Sequence, residues 1–259
     1  MIIDTNVYLG QWPFRRTPWD EPERLVTGLQ RHGVSEAWVG SLEALLHRDI
    51  GGVNDRLFRF CQQEKRCKFI PFGAVNPRLP DWQEDLRRCA EQYKMPGVRL
   101  HPNYHRYRLD EPIFAELLDL AGKYRLLVQV VVRMEDNRVQ DERFPTPDVD
   151  LKPLVELVRG RPGLRLMLLN SCIPDARALL PRLVQTGQVW LDIATLEGLA
   201  ALERLCQQIR PDRIVFGSHL PLFCLESAVL KIEESELSAE VRRAILQENA
   251  RQLLPEHRS

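Results

Sequence analysis

Strand-sized apolar runs alternate with amphipathic helical runs eight times along this chain. The apolar runs lie at 1–4, 36–40, 68–75, 97–100, 126–132, 164–170, 189–194 and 213–217. Several are apolar almost throughout rather than at every second residue, as a parallel sheet covered on both faces requires. Helical patterns occupy 22–31, 53–65, 81–93, 112–124, 151–158, 175–186 and 197–209, and two more at 226–234 and 239–254 close the chain, the last with Ser238 at its N-cap position. The alternation predicts an α/β fold, a (β/α)8 TIM barrel, as a single domain over 1–259, and the length suits it. A doubly wound open sheet is the alternative. It usually carries a glycine-rich turn after its first strand, where this chain has Asn6, Val7, Tyr8, Leu9 and Gly10 instead.

Composition narrows the partners. Lys and Arg number 36 against 36 Asp and Glu, so the formal net charge is zero. Nucleic acids and anionic membranes call for excess basic charge, and neither is expected as a partner. No apolar run approaches the ~20 residues of a membrane helix. Asp4 and Asn6 interrupt the place where a secretion signal needs its apolar core. The six cysteines form no C-x-x-C pair and read as reduced, buried thiols. A cytoplasmic protein acting on a small molecule is expected, with homo-oligomerisation left open.

In a barrel of this type the active site lies at the C-terminal ends of the strands. The polar residues predicted there are Asp4, Asn6 and Tyr8 (strand one), Asn76 (three), His101, Asn103 and His105 (four), Arg133 and Glu135 (five), Asn170 (six), Asp192, Thr195 and Glu197 (seven), and Ser218 and His219 (eight). Alternation along an extended strand points Asp4, Asn6 and Tyr8 the same way. Each residue also has a plainer role open to it. Asparagine at a strand end often makes a turn, Asp4 and Asp192 can serve backbone amides, Arg133 and Glu135 can form a solvated pair, and His105 can pack at the surface. His101 and His219 stand out because both directly end predicted strands. His32, His47 and His257 read as turn or surface residues. Residues 135–149 form a candidate lid, and 11–16, with Trp12, Phe14, Arg15 and Arg16, a candidate pocket wall.

The segment from Ile2 to Gly10, Gly97–Leu100 with His101 and Pro102, the run from Ile214 to Pro221, and the closing helix through Gln247, Glu248 and Asn249 resemble the amidohydrolase-related family. That family comprises metal-dependent TIM-barrel hydrolases and decarboxylases. The resemblance implies a His-x-His metal pair on strand one, histidines on strands five and six, and an aspartate on strand eight. Here Asn6 and Tyr8 stand at the first pair, strand five has no histidine, Asn170 matches the strand-six position and His219 the aspartate. Neutral Asn and Tyr are poor ligands for a divalent transition metal.

No metal cofactor is therefore expected, with a rearranged site for a divalent metal such as Zn as the alternative. Metal-free lactonases that resemble the family suggest roles. His219 would activate water, His101 would be a second acid/base or a carbonyl polariser, and Asn170, Asn6 and Tyr8 would donate to an oxyanion. Arg133 or Arg99 would clamp a carboxylate, and Asp4 would line the substrate site. The first expectation is an amidohydrolase-like hydrolase for a small polar, carboxylated substrate. A metal-dependent hydrolase or decarboxylase and a non-catalytic metabolite-binding descendant are its rivals.

Overall fold

A computed structural model describes residues 1–254; His257 lies outside the described residues. Eight strands form one sheet in the order of the sequence, every pairing parallel. They are β1 (Ile2–Leu9), β2 (Val34–Ser41), β3 (Lys68–Ala74), β4 (Gly97–Leu100), β5 (Leu127–Val131), β6 (Arg165–Leu169), β7 (Gln188–Asp192) and β8 (Ile214–Val215). The segment after β8 returns to β1 through Thr5 N–Phe216 O at 3.0 Å, His219 N–Asn6 O at 2.8 Å and Tyr8 N–Leu220 O at 2.8 Å. A sheet brought back onto its own first strand, with helices between successive strands, is the (β/α)8 barrel that the alternation predicts.

The helices are α1 (Pro22–Arg31), α2 (Ile50–Gln63), α3 (Trp82–Arg87), α4 (Pro112–Lys123), α5 (Leu154–Arg159), α6 (Pro174–Arg177), α7 (Leu180–Thr186), α8 (Ala201–Gln208), α9 (Leu225–Glu233), α10 (Ala239–Arg243) and α11 (Asn249–Leu253). Pro22, Pro112 and Pro174 begin their helices, where a missing N–H costs nothing. The single helix expected at 175–186 is two, with Pro181 in the first turn of the second. Ser238 caps α10 by accepting from Val241 N, as the sequence suggests. The described cysteines are all free, and Cys61, Cys67, Cys89 and Cys172 are buried.

Two apolar layers result. Val98, Val128, Leu166, Leu168, Leu191 and Ile214 face the helices. Trp38, Phe72, Leu127, Val131, Met167 and Val215 fill the barrel itself. Burying one such side chain is worth about 1.5–3 kcal/mol, so both layers hold the scaffold that carries the polar residues. β1 runs five residues beyond the expected 1–4, and all eight of its residues are buried. Its pairing with β2 shifts register between Asp4 and Val7. At this irregularity the Thr5 and Val7 carbonyls accept from the Arg99 guanidinium.

Candidate functional site

The centre of the barrel mouth is a continuous hydrogen-bonded ring. The Asn6 side-chain amide donates to Asn170 Oδ1 at 2.8 Å and to Asp192 Oδ2 at 2.6 Å. Asp192 Oδ1 accepts from the Asn170 backbone N–H at 2.9 Å. The Asn170 side chain donates to the Arg133 carbonyl at 2.6 Å, and His219 Nε2 contacts the Met134 carbonyl at 2.7 Å. Asp4 Oδ1 accepts from the backbone N–H groups of Asn6 and Ser218 at 3.1 and 3.0 Å, joining β1 to the end of β8. Asp4, Asn6, Asn170, Asp192 and His219 are all fully buried.

The Arg133 carbonyl sets the direction of the side-chain amide bonds in this ring, because a carbonyl can only accept. Arg133 O fixes the Asn170 NH2 group, which leaves Asn170 Oδ1 for Asn6, which turns the Asn6 NH2 group toward Asn170 and Asp192. Met134 O likewise fixes the hydrogen of His219 on Nε2. Burial brings the His219 imidazole down to about 3, so the ring is neutral. Its Nδ1 then carries a lone pair 3.3 Å from Asn6 Oδ1, and two acceptors make no hydrogen bond there. Burial pushes the Asp192 carboxyl up to about 6, against the lowering effect of its bonds from Asn170 and Asn6. It pushes Asp4 up to about 7, and Asp4 Oδ2 has no partner.

Local backbone geometry builds the ring. Asn170 and His219 both have left-handed backbone, with φ of 57° and 60°. Asparagine tolerates this conformation; a histidine held there is a strained residue of the kind that clusters at functional sites. Gly217 admits the close approach of the β8 end, since a Cβ there would lie 2.8 Å from Asp192 Oδ2 and 3.0 Å from Asn6 Cβ.

Beside the ring stands a second pair. Tyr8 Oη lies 2.9 Å from His101 Nε2, and the Tyr8 ring meets the His219 ring edge-on at 5.5 Å. Burial pushes the Tyr8 phenol up and holds the His101 imidazole well below its ordinary value, with the His105 ring contributing to the latter. Both groups are thus neutral. His101 Nδ1 has no partner although the residue is 1% exposed.

Beneath the pair Arg99 lies inside the barrel, fully buried. Its guanidinium donates to Gln129 Oε1 and to the carbonyls of Val7, Thr5 and Trp38 at 2.7, 2.7, 3.2 and 3.0 Å, and sits 4.6 Å from the Tyr8 ring centroid. Gly40 makes room: a Cβ there would meet Arg99 Cδ at 3.0 Å.

The mouth is covered. Trp12 packs on Phe14 and Tyr104, and Phe144 from the 135–149 segment packs on Phe14 and Tyr104 in turn. The Arg15–Glu135 ion pair fastens the same two segments, and Glu135 is 2% exposed there. A cavity of about 520 Å³ lies outside this cover, between 102–110 and 145–153, and has none of the ring residues in its walls.

Asp4, Asn6, Asn170 and His219 therefore come together, with Tyr8 and His101 adjoining. The Arg133 side chain does not join them: it turns outward into a bidentate pair with Asp148, and only its carbonyl reaches the ring. Asn76 makes a turn bond to Arg78 N, His105 Nε2 contacts the Ala44 carbonyl, and His32 meets Glu226. Asp192 is the ring's main acceptor, yet it carries no sequence signal beyond its place at the end of a strand. The Arg133 and Met134 carbonyls carry none.

A divalent cation does not fit this donor set. Asn6 directs N–H hydrogens, not lone pairs, into the space between Asn170 and Asp192, and His219 Nε2 is committed to the Met134 carbonyl. Among the described residues no group of three or more His, Cys, Asp or Glu is placed to hold a metal ion.

A closed (β/α)8 scaffold with convergent polar side chains from β1, β4, β6, β7 and β8 defines an enzyme-type barrel. The chain belongs to the amidohydrolase family, whose model matches residues 34–255. That match begins at β2, so Asn6 and Tyr8 lie outside it. No curated protein matches the chain. Among solved structures it is similar to 2,6-dihydroxybenzoate decarboxylase from Rhizobium, at 14% identity over 98% of each chain with a TM-score of 0.75. It is similar to 5-carboxyvanillate decarboxylase from Sphingomonas paucimobilis with the same identity, coverage and TM-score, 14%, 98% of each chain and 0.75. It is also similar to dihydroxybenzoic acid decarboxylase from Polaromonas sp. JS666 with bound manganese and 2-nitroresorcinol, at 14% identity over 100% of this chain and 98% of that one, TM-score 0.77. At such identities the likeness speaks for the fold. No helix among the described residues is long and apolar enough to cross a membrane.

Proposed function

We propose that this protein is a metal-independent hydrolase of the amidohydrolase type, acting on a small polar substrate that carries a carboxylate. The observation that supports this most is the Tyr8–His101 pair, which leaves His101 Nδ1 unpartnered on a buried, neutral imidazole. With the hydrogen on Nε2 and donated to Tyr8 Oη, Nδ1 keeps its lone pair and can take a proton from water. Tyr8 Oη then steadies the imidazolium that forms. His219, expected from its strand-eight position to be the base, gives its hydrogen to Met134 O, and its Nδ1 is turned into the ring, 3.3 Å from Asn6 Oδ1, where the Asn6 oxygen stands in the way of a water. Arg15, 40% exposed at the mouth, is a second guanidinium for a substrate carboxylate beside Arg133, which would have to give up Asp148.

Turnover on a panel of esters, lactones, amides and carboxylates tests the reading. His101→Asn should lower kcat by about 10²–10⁴-fold with little change in Tm, the range for loss of a general base. His219→Asn should lower Tm as well. Full activity in His101→Asn, or no turnover by the wild-type protein on any member of the panel, would refute the proposal.

A second reading is favoured by the closure of the ring: its polar groups serve one another, as in a non-catalytic metabolite-binding descendant. It predicts ligand-dependent thermal stabilisation without turnover.

A further inference from the structure

We infer that the Asn6 amide and the Arg99 guanidinium together replace the divalent cation that holds the mouth of a metal-bearing barrel, with Asn6 supplying the links and Arg99 the charge. The inference shares metal independence with the proposed hydrolase, and it does not depend on catalysis.

The links come first. A cation at a barrel mouth draws oxygen lone pairs from several strands onto one point. Here that task falls to one nitrogen. Asn6 Nδ2 lies 2.8 Å from Asn170 Oδ1 and 2.6 Å from Asp192 Oδ2, and so ties β1 to the ends of β6 and β7. These are hydrogen-bond lengths; metal–oxygen bonds to Zn²⁺ or Mg²⁺ are about 2.0–2.2 Å. Both amide hydrogens are used, and the Arg133 carbonyl, by fixing the Asn170 amide, prevents the network from reversing.

The charge comes second. Asp192 and Asp4 are two fully buried carboxyls, and a metal would offset their ionised forms. Arg99 is the fully buried cation of the same interior, and its guanidinium donates to the carbonyls of Thr5 and Val7, the residues on either side of Asn6. A guanidinium cannot be deprotonated in a protein, so this positive charge is permanent and part of the chain. Its bonds to the carbonyls of Thr5, Val7 and Trp38 anchor it to β1 and β2. Lys231 is the other cation near Asp192, and its Nζ is committed to the Ile193 and Ala194 carbonyls.

The arrangement can be reversed by one substitution. Asn6→Asp replaces the two N–H donors with a carboxylate facing Asp192, Asn170 Oδ1 and the His219 Nδ1 lone pair. That is an oxygen-rich set with one imidazole, which suits Mn²⁺ or Zn²⁺.

The test is Tm of the full chain in EDTA and in Mn²⁺ or Zn²⁺, with elemental analysis of protein purified without chelators. The wild-type protein should carry well under one equivalent of metal and keep its Tm in every condition. Asn6→Asp should melt lower in EDTA and regain at least about 5 °C with saturating Mn²⁺, the shift expected for a site filled well above its Kd. Arg99→Gln, which removes the fixed charge, should enlarge the Tm gain from Mn²⁺ in the Asn6→Asp background, since the metal then meets no competing cation; an unchanged gain would overturn the part assigned to Arg99.

Stoichiometric metal in the wild-type protein, or a rise of several degrees on adding Mn²⁺ to it, overturns the inference even if Asn6→Asp fails to fold. A folded Asn6→Asp protein indifferent to Mn²⁺ and Zn²⁺ also overturns it. Absence of hydrolytic activity in the wild-type protein refutes the proposed function and leaves these measurements unaffected.

Discussion

The Asn6–Asn170–Asp192–His219 ring and the neighbouring Tyr8–His101 pair are buried to the same degree but are finished differently. In the ring both Asn6 amide hydrogens meet oxygens, and the Arg133 and Met134 carbonyls accept from Asn170 and His219. In the pair one bond is made and His101 Nδ1 is left without a partner. A buried polar group without a partner costs about 1–3 kcal/mol, so a fold keeps few of them without a use. The contrast teaches how the two regions divide the work: the bonded amides tie β1 to the ends of β6 and β7, and the His101 nitrogen holds no strand in place, which is what the proposed base requires.

The comparison breaks most visibly at Arg99, the charge beneath both regions. Arg99→Ala strands three backbone carbonyls and Gln129 Oε1 and opens a cavity, so a loss of about 4 kcal/mol or more is expected. Urea denaturation measures it; a loss below about 1 kcal/mol would mean that the interior tolerates the missing cation.

A pH series comes next. The Asp4 carboxyl is pushed up to about 7 in the fold from 3.8. The folded protein therefore binds this proton more tightly than the unfolded chain. The stability it contributes is full below about pH 4 and declines as pH rises toward about 7, by up to ~4 kcal/mol at 1.36 kcal/mol per unit. Asp4→Asn removes the titration but keeps an acceptor for the Asn6 and Ser218 N–H groups. The wild-type stability minus that of Asp4→Asn should therefore fall across this window. A flat difference would place the Asp4 carboxyl in a better-solvated setting than its burial indicates.

The smallest effect belongs to the cover. Phe144→Ala removes the ring that packs on Phe14 and Tyr104 and should loosen 135–149 over His101. Faster proteolytic nicking of this segment is expected, with a change of only a few-fold in kcat/KM where opening limits access. If nicking is unchanged, the Arg15–Glu135 pair carries the closure, and Glu135→Gln should release it.

Much of the fold was legible before any coordinates. Eight apolar runs, their continuity and the helical patterns between them placed the barrel, because burial on two faces leaves a direct record in residue type. The strand-end rule also collected Asp4, Asn6, Tyr8, His101, Asn170 and His219, all of which face one interior. It could not sort them. Arg133 and Arg99 looked equally able to clamp a carboxylate, but one turns outward to Asp148 and the other is sealed beneath Tyr8. His219 is the expected base from its place on strand eight; Met134 O decides its tautomer, and every residue supplies the same carbonyl.

Sequence alone determined the scaffold and the residue types at its strand ends, Asn6, Tyr8, Asn170 and His219 among them. These rest on side-chain chemistry and periodicity, which a linear chain displays. The tertiary structure alone decided the direction of the hydrogen bonds, the placing of Arg99 inside the barrel and the covering of the mouth. Those depend on backbone carbonyls and on contacts between segments as distant as Arg15 and Glu135, or Asn6 and Asp192. A carbonyl is common to all residues, and its role appears only when folding brings a particular donor to it.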